Sequence, residues 1–199
     1  MENILAIREF WFGDSPDDVT TANQQAGLWW GKNPDIDLQI RQRFETTVQA
    51  AEKNQLADWE NTPQGVVALV LLTDQFPRNM YRNTPRSFAF DTLARAFCRK
   101  GLQTDFYMAL RPIERLFLHL PLTHSELLPD QEQAVALGTA LVEQVAAGEK
   151  ECFAGYLSFA IRHRDIIARF GRFPHRNQIL QRQSTPAELE FLQQPGSSF

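Results

Sequence analysis

Arginine, histidine and carboxylate side chains gather in three short stretches of this chain, and any chemistry it performs would be sought there. The stretch 74–86 holds Asp74, Gln75, Arg78, Asn79, Arg82 and Arg86. Between Arg162 and Arg182 lie six arginines (162, 164, 169, 172, 176 and 182), with His163, His175 and Asn177, against one acid, Asp165. The third stretch, HLPLTHSE at 119–126, sets His124, Ser125 and Glu126 side by side. Of the 20 basic residues in the chain, 16 are Arg and 4 are Lys. A guanidinium presents a rigid fork of donors that matches carboxylates and phosphates. An imidazole titrates near neutrality, and a neighbouring carboxylate can orient it and stabilise its charged form. If the stretches converge, Arg78, Arg82, Arg172 and Arg176, with Gln75, Asn79, His175 and Asn177, would hold a small anionic ligand. His124, with Glu126 or Asp74, would then supply acid–base chemistry, and hydrolysis or phosphoryl chemistry would suit such a clamp.

Each feature also has a plainer reading. Asp74–Arg78 and Asp165–Arg169 stand at i,i+4 spacing and would pair within the chain. The Arg and Asn side chains would tie helix ends together through bonds to backbone carbonyls. Ser125 would cap the helix that follows it, which suits it better than nucleophilic attack. The tetrapeptide GDSP at 13–16 resembles a hydrolase nucleophile motif, but neither the preceding strand nor a late Asp-x-x-His accompanies it. GxSxG, HExxH, paired CxxC, P-loop and GxGxxG patterns are absent, so no cofactor and no dedicated metal site is expected. His124, Glu126, His175 and Asp74 would bind a metal only if folding gathered them, and their spacing does not require it. Trp11, Phe12, Trp29, Trp30 and Trp59 suit a core better than a base-stacking platform.

The elements that must position these groups are helical. Ile36, Ile40, Phe44, Val48 and Ala51 recur every three or four residues and predict a helix over 36–52, opened by Asn33-Pro34. Thr62-Pro63, Thr84-Pro85 and Thr185-Pro186 each predict an N-cap followed by a first-turn proline, and Glu188 completes a capping box with Thr185. Gly101 would close the helix begun at Pro85, and Gly148 the one begun near Pro129. Further helices are expected over 3–12, 63–75, 105–118 and 151–170, and Pro121 would end the helix before His124. Strand signals are nearly absent. No linker divides the chain, so one all-α domain over 1–199 is expected. The loops FPRNMYRNTP (76–85) and FPHRNQILQRQSTP (173–186) share a pattern about 100 residues apart. Two related helix–loop–helix units would produce it, and so would two unrelated helix-ending loops.

Length and composition bound the remaining possibilities. The chain has 199 residues and a mass of 22.8 kDa, with 43% hydrophobic and 22% charged residues, the balance of an ordinary globular protein. A net charge of −4 and a pI near 5.6 argue against a nucleic-acid or membrane-surface partner. The longest purely apolar run, Val66–Leu72, is far too short to span a bilayer, and the first residues lack the pattern of a signal peptide. Cys98 and Cys152 lie in separate apolar segments and are expected as buried thiols, so a cytoplasmic location follows by elimination.

Several of these motifs are similar to one bacterial family of unknown function, domain-of-unknown-function family 924. The residues that carry the resemblance are FWF at 10–12, TDQFPRNMYR at 73–82, Phe90-Asp91, LPLTHSE at 120–126, RFGRFPHRN at 169–177 and the Ser-Ser-Phe terminus. The resemblance implies an all-helical, tetratricopeptide-repeat-like bundle or superhelix and implies no activity. It also places recurring polar positions at Asp74, Gln75, Arg78, Asn79, Arg82, Asp91, His124, Ser125, Glu126, Arg172, His175, Arg176 and Asn177. Thr73 departs from the pattern, which more often has an apolar residue there. A 34-residue period is not legible in the chain itself. Two functions are therefore weighed: a site for a small anionic ligand, and an interaction module that binds a peptide or protein partner in a concave helical groove. Clustered His, Arg and carboxylate favour the first.

Overall fold

The computed structural model describes residues 1–103 and 105–198, and among these every regular element is helical. The α-helices are α1 (Ile4–Phe12), α2 (Asp18–Trp30), α3 (Pro34–Glu52), α4 (Pro63–Val70), α5 (Phe76–Met80), α6 (Asp91–Leu102), α7 (Phe106–Ala109), α8 (Pro112–Thr123), α9 (Leu128–Gln144), α10 (Lys150–Phe170) and α11 (Pro186–Leu192). No helix is long and apolar enough to cross a membrane. Phe199, the end of the Ser-Ser-Phe motif, lies outside the described residues.

The core forms where aromatic side chains of four helices meet. Phe44 of α3 and Phe76 of α5 have ring centroids 4.7 Å apart, and Trp11 of α1 stands 5.4 Å from Phe76 and 5.6 Å from Phe117 of α8. All four side chains are fully buried. Such rings bury large apolar areas and interlock at defined angles, so they fix the mutual placement of α1, α3, α5 and α8. The apolar run Val66–Leu72 lies wholly in this core. α9 and α10 form a helical hairpin that packs on α8. A separate cluster of Ile166, Ile167 and Phe173 anchors the loop beyond α10.

Several helix boundaries match the caps read from sequence. Asn33 opens α3, Thr62 accepts from the Gly65 N–H, and Thr185 with Glu188 forms a reciprocal capping box. Others are corrected. Thr84 holds the N-cap position with Pro85 in the first turn, but its hydroxyl donates to the Tyr81 carbonyl instead of capping, and the element is a short 3₁₀ turn, with α6 starting separately at Asp91. Gly101 lies inside α6, packed against Leu118 and Val66. α9 ends at Gln144, four residues before Gly148. The helix expected over 105–118 is broken, because Arg111 precedes Pro112 and adopts an extended conformation (ψ 152°). Pro121 sits within α8, which runs on to Thr123. Cys98 is buried, but Cys152 is only half-buried. α2 was not expected at all.

Between α4 and α5 the chain makes a π-helical turn, Leu71–Gln75, in which the Phe76 N–H bonds to the Leu71 carbonyl. Pro77 has no N–H to return to Thr73, and its ring would crowd that carbonyl in a regular helix. The widened turn relieves this, and such turns are frequent at functional sites. It carries Asp74 and Gln75.

Candidate functional site

Asp74 is fully buried, and its carboxylate oxygens lie 2.8 and 3.0 Å from Nδ1 of His124, the residue that caps the end of α8. Gln75 donates its amide N–H to the same carboxylate, and Arg78, one turn on, lies 3.3 Å from it. Burial alone would raise the Asp74 pKa. Arg78 and His124 outweigh burial and hold the carboxyl well below the usual range. Arg78 Nε also stands beside Nδ1, at 3.3 Å, but the two shorter contacts are to an ionised carboxylate, which only accepts, so Nδ1 of His124 carries the proton and Nε2 is left as the basic nitrogen. Among the described residues Nε2 has no hydrogen-bond partner. Burial, helped by Arg78, lowers the His124 pKa despite Asp74, so the ring is neutral at pH 7.

His124 opens onto a cavity of about 300 Å³. Its polar wall is formed by Asp91, Arg95, Glu126 and Arg176, and its apolar wall by Pro85, Phe88, Ala89 and Leu180. Both similar loops reach this place. Asp91, at the start of α6, accepts from Arg78 at 3.0 Å through Oδ1 and from Arg176 at 3.5 Å through Oδ2. Arg176 is sandwiched between Phe88 and Phe173, 4.7 and 4.5 Å from the ring centroids, and donates to the His124 carbonyl at 3.0 Å. Burial and the neighbouring Arg78 bring its pKa down to about 10, which leaves it charged at neutral pH. Glu126 takes two bonds from Arg182, at 2.6 and 2.9 Å, and one from the Phe173 N–H. Burial would raise its pKa, but these donors lower it.

The remaining sequence candidates lie apart. Arg82 grips Asp37 through two bonds of 2.7 and 2.8 Å, and Asn79 donates to the same carboxylate. Arg172 grips Glu188 at 2.6 and 2.8 Å. Asn177 bonds Ser184 and Arg182, and His175 packs on Phe173. Ser125 does not cap α9 as expected, since Leu127 holds the N-cap position without a side-chain bond; buried Ser125 instead donates to Asp130 at 2.6 Å and accepts from the Leu127 N–H. Asp165 pairs with Arg164, not with Arg169 as its spacing predicted. Several arginines also donate to loop carbonyls: Arg78 to Ser87, Arg172 to Gln183 and Arg182 to Phe173. Among the described residues no three His, Cys, Asp or Glu side chains stand close enough to hold a metal ion.

Residues not singled out for a role in sequence complete the site. Arg95 and Phe88 carry no motif, and Asp91 stood among the recurring polar positions that the resemblance implies, with no role assigned to it. The Phe90-Asp91 pair was the available signal.

The site thus defines a helical protein in which a buried aspartate orients a histidine beside arginines from two similar loops. The chain belongs to the family described as bacterial protein of unknown function (DUF924), whose sequence profile matches residues 7–196. It is similar to the structure titled protein of unknown function ATU0120 from Agrobacterium tumefaciens, with a TM-score of 0.79, 35% identity, and coverage of 95% of this chain and 96% of that one. No curated protein matches it.

Proposed function

We propose that the cavity binds a small anionic molecule through Arg95 and Arg176, and that His124 exchanges a proton with the molecule or with a water beside it. The observation that carries the reading is the His124 ring itself. Its Nδ1 is fixed by a fully buried carboxylate, which leaves an unprotonated Nε2 on a residue that lines the cavity. A positioned base with a neutral resting state is what proton transfer near pH 7 requires. Arg95 and Arg176 suit the anion because each lines the cavity with a guanidinium group, and the Arg95 guanidinium is only loosely paired, 3.7 Å from Asp130. Asp74 then acts as a positioning residue, and Arg78 and Asp91 hold the frame. The peptide-binding alternative, with its tetratricopeptide-like groove, draws less support, since these polar groups converge on a small cavity instead of lining a long surface.

A thermal-shift and calorimetric screen with small phosphates, sulfates and carboxylates tests the proposal. At least one anion should stabilise the wild type, and Arg95→Gln should bind it at least tenfold more weakly. No stabilisation by any anion, or equal binding by the variant, would overturn it.

A further inference from the structure

We infer that the anion is a small monocarboxylate carrying an apolar body, its carboxylate seated on Arg95 and Arg176 and its body against Phe88, Ala89 and Leu180. This rests on the anion-site reading above and narrows it.

Three observations point to that chemistry. The first is charge balance. Around the cavity Arg78 and Arg176 pair with Asp74 and Asp91, Arg182 with Glu126, and Arg95 and Arg99 with Asp130, so five guanidinium groups face four carboxylates. Asp130 is bound closely by Arg99 at 2.7 Å, whereas Arg95 stands 3.7 Å away, so Arg95 is the cation least neutralised. The excess is a single positive charge, which one carboxylate neutralises and a doubly charged phosphate overfills. The second is the donor inventory. The Arg176 side chain is 7% exposed, yet its Nε makes no hydrogen bond, whereas the Nε of Arg95 faces Asp130 at 3.7 Å. Buried donors are almost always paired, and two guanidinium groups lining one cavity suit the two oxygens of a carboxylate. The third is the opposite wall. Pro85, Phe88, Ala89 and Leu180 offer no hydrogen bond to a compact inorganic anion, and they would cover the hydrocarbon part of an organic acid. The volume, about 300 Å³, lies at the small end of ligand pockets and sets the size.

Calorimetry on the full chain with phenylacetate, hexanoate, acetate, inorganic phosphate and the neutral phenylacetamide tests this. Phenylacetate or hexanoate should bind at least tenfold more tightly than acetate or phosphate, and phenylacetamide should not bind. Leu180→Asp, at the partly exposed rim, should lose the apolar acids while keeping its melting temperature. Phosphate binding as tightly as the best carboxylate, in an Arg95-dependent way, would overturn the monocarboxylate inference and leave the anion site standing. Binding by none of the anions, or equal binding of phenylacetamide and phenylacetate, would overturn both.

Discussion

At the scale of single residues, the site is a chain of ionised groups in which each member depends on the next. Asp74 is fully buried and serves both His124 and Arg78. Asp74→Asn keeps the shape but leaves Arg78 with less compensation and removes the acceptor that fixes the imidazole. Breaking one partner of a buried pair costs roughly 3–5 kcal/mol, and urea unfolding of this variant should show a loss of that order. A loss below about 1 kcal/mol would mean that the pair is not ionised as described. Sequence spacing alone made the Asp74–Arg78 pair legible, because one helical turn brings i and i+4 together. It could not choose between Asp74 and Glu126 as the partner of His124, since that choice depends on where α8 ends relative to the π-helical turn.

At the scale of elements, apolar periodicity and Thr-Pro caps revealed most helices, and their failures have identifiable causes. α2, DVTTANQQAGLWW, was illegible because its buried face is made of Asp18, Thr21, Ala22 and Trp29 rather than an apolar stripe. Tertiary bonds hold it instead: Arg111 donates to Asp18 at 2.9 Å, and the Trp29 indole donates to the Trp11 carbonyl. Two glycines test how helices are specified here. Gly27 lies mid-helix in α2, and a Cβ there would meet nothing within 4 Å. Gly27→Ala should therefore stabilise the protein by about 0.5–1 kcal/mol through lower backbone entropy of the unfolded chain. At Gly65, in the first turn of α4, a Cβ would stand 2.0 Å from the Trp59 carbonyl oxygen. Gly65→Ala should lower the melting temperature sharply, and a melt unchanged from wild type would refute the close approach of the preceding turn to α4.

At the scale of the whole molecule, the chain folds around neutral histidines. Burial is the first cause in every case: it brings His119 and His163 down to about 3 and His175 to about 4, and it lowers His124 as well. A solvent-exposed histidine takes up its proton near 6.5. Between about pH 4 and 6.5 the unfolded chain therefore binds protons that the folded chain refuses. Stability should be full above pH 6.5 and fall as the pH drops toward 4, and the depressed carboxyls of Asp74 and Glu126 add a further loss below that. Melting temperatures across this range check the prediction, and a level profile from pH 7 to 4.5 would contradict it. The all-helical class was readable from the absence of strand patterns, but the convergence of two loops about 100 residues apart on Asp91 was not, because no local signal encodes a meeting of distant segments. That meeting is what gives His124 its setting. The most direct test of it is nitrogen-15 NMR of the histidine rings, with His124 assigned by the His124→Gln variant and small carboxylates then added at pH 7. The account predicts a neutral His124 ring protonated at Nδ1, with an Nε2 resonance that moves on adding an anion in the wild type and stays still in Arg95→Gln. A ring protonated at Nε2, or one that no anion perturbs, would contradict it.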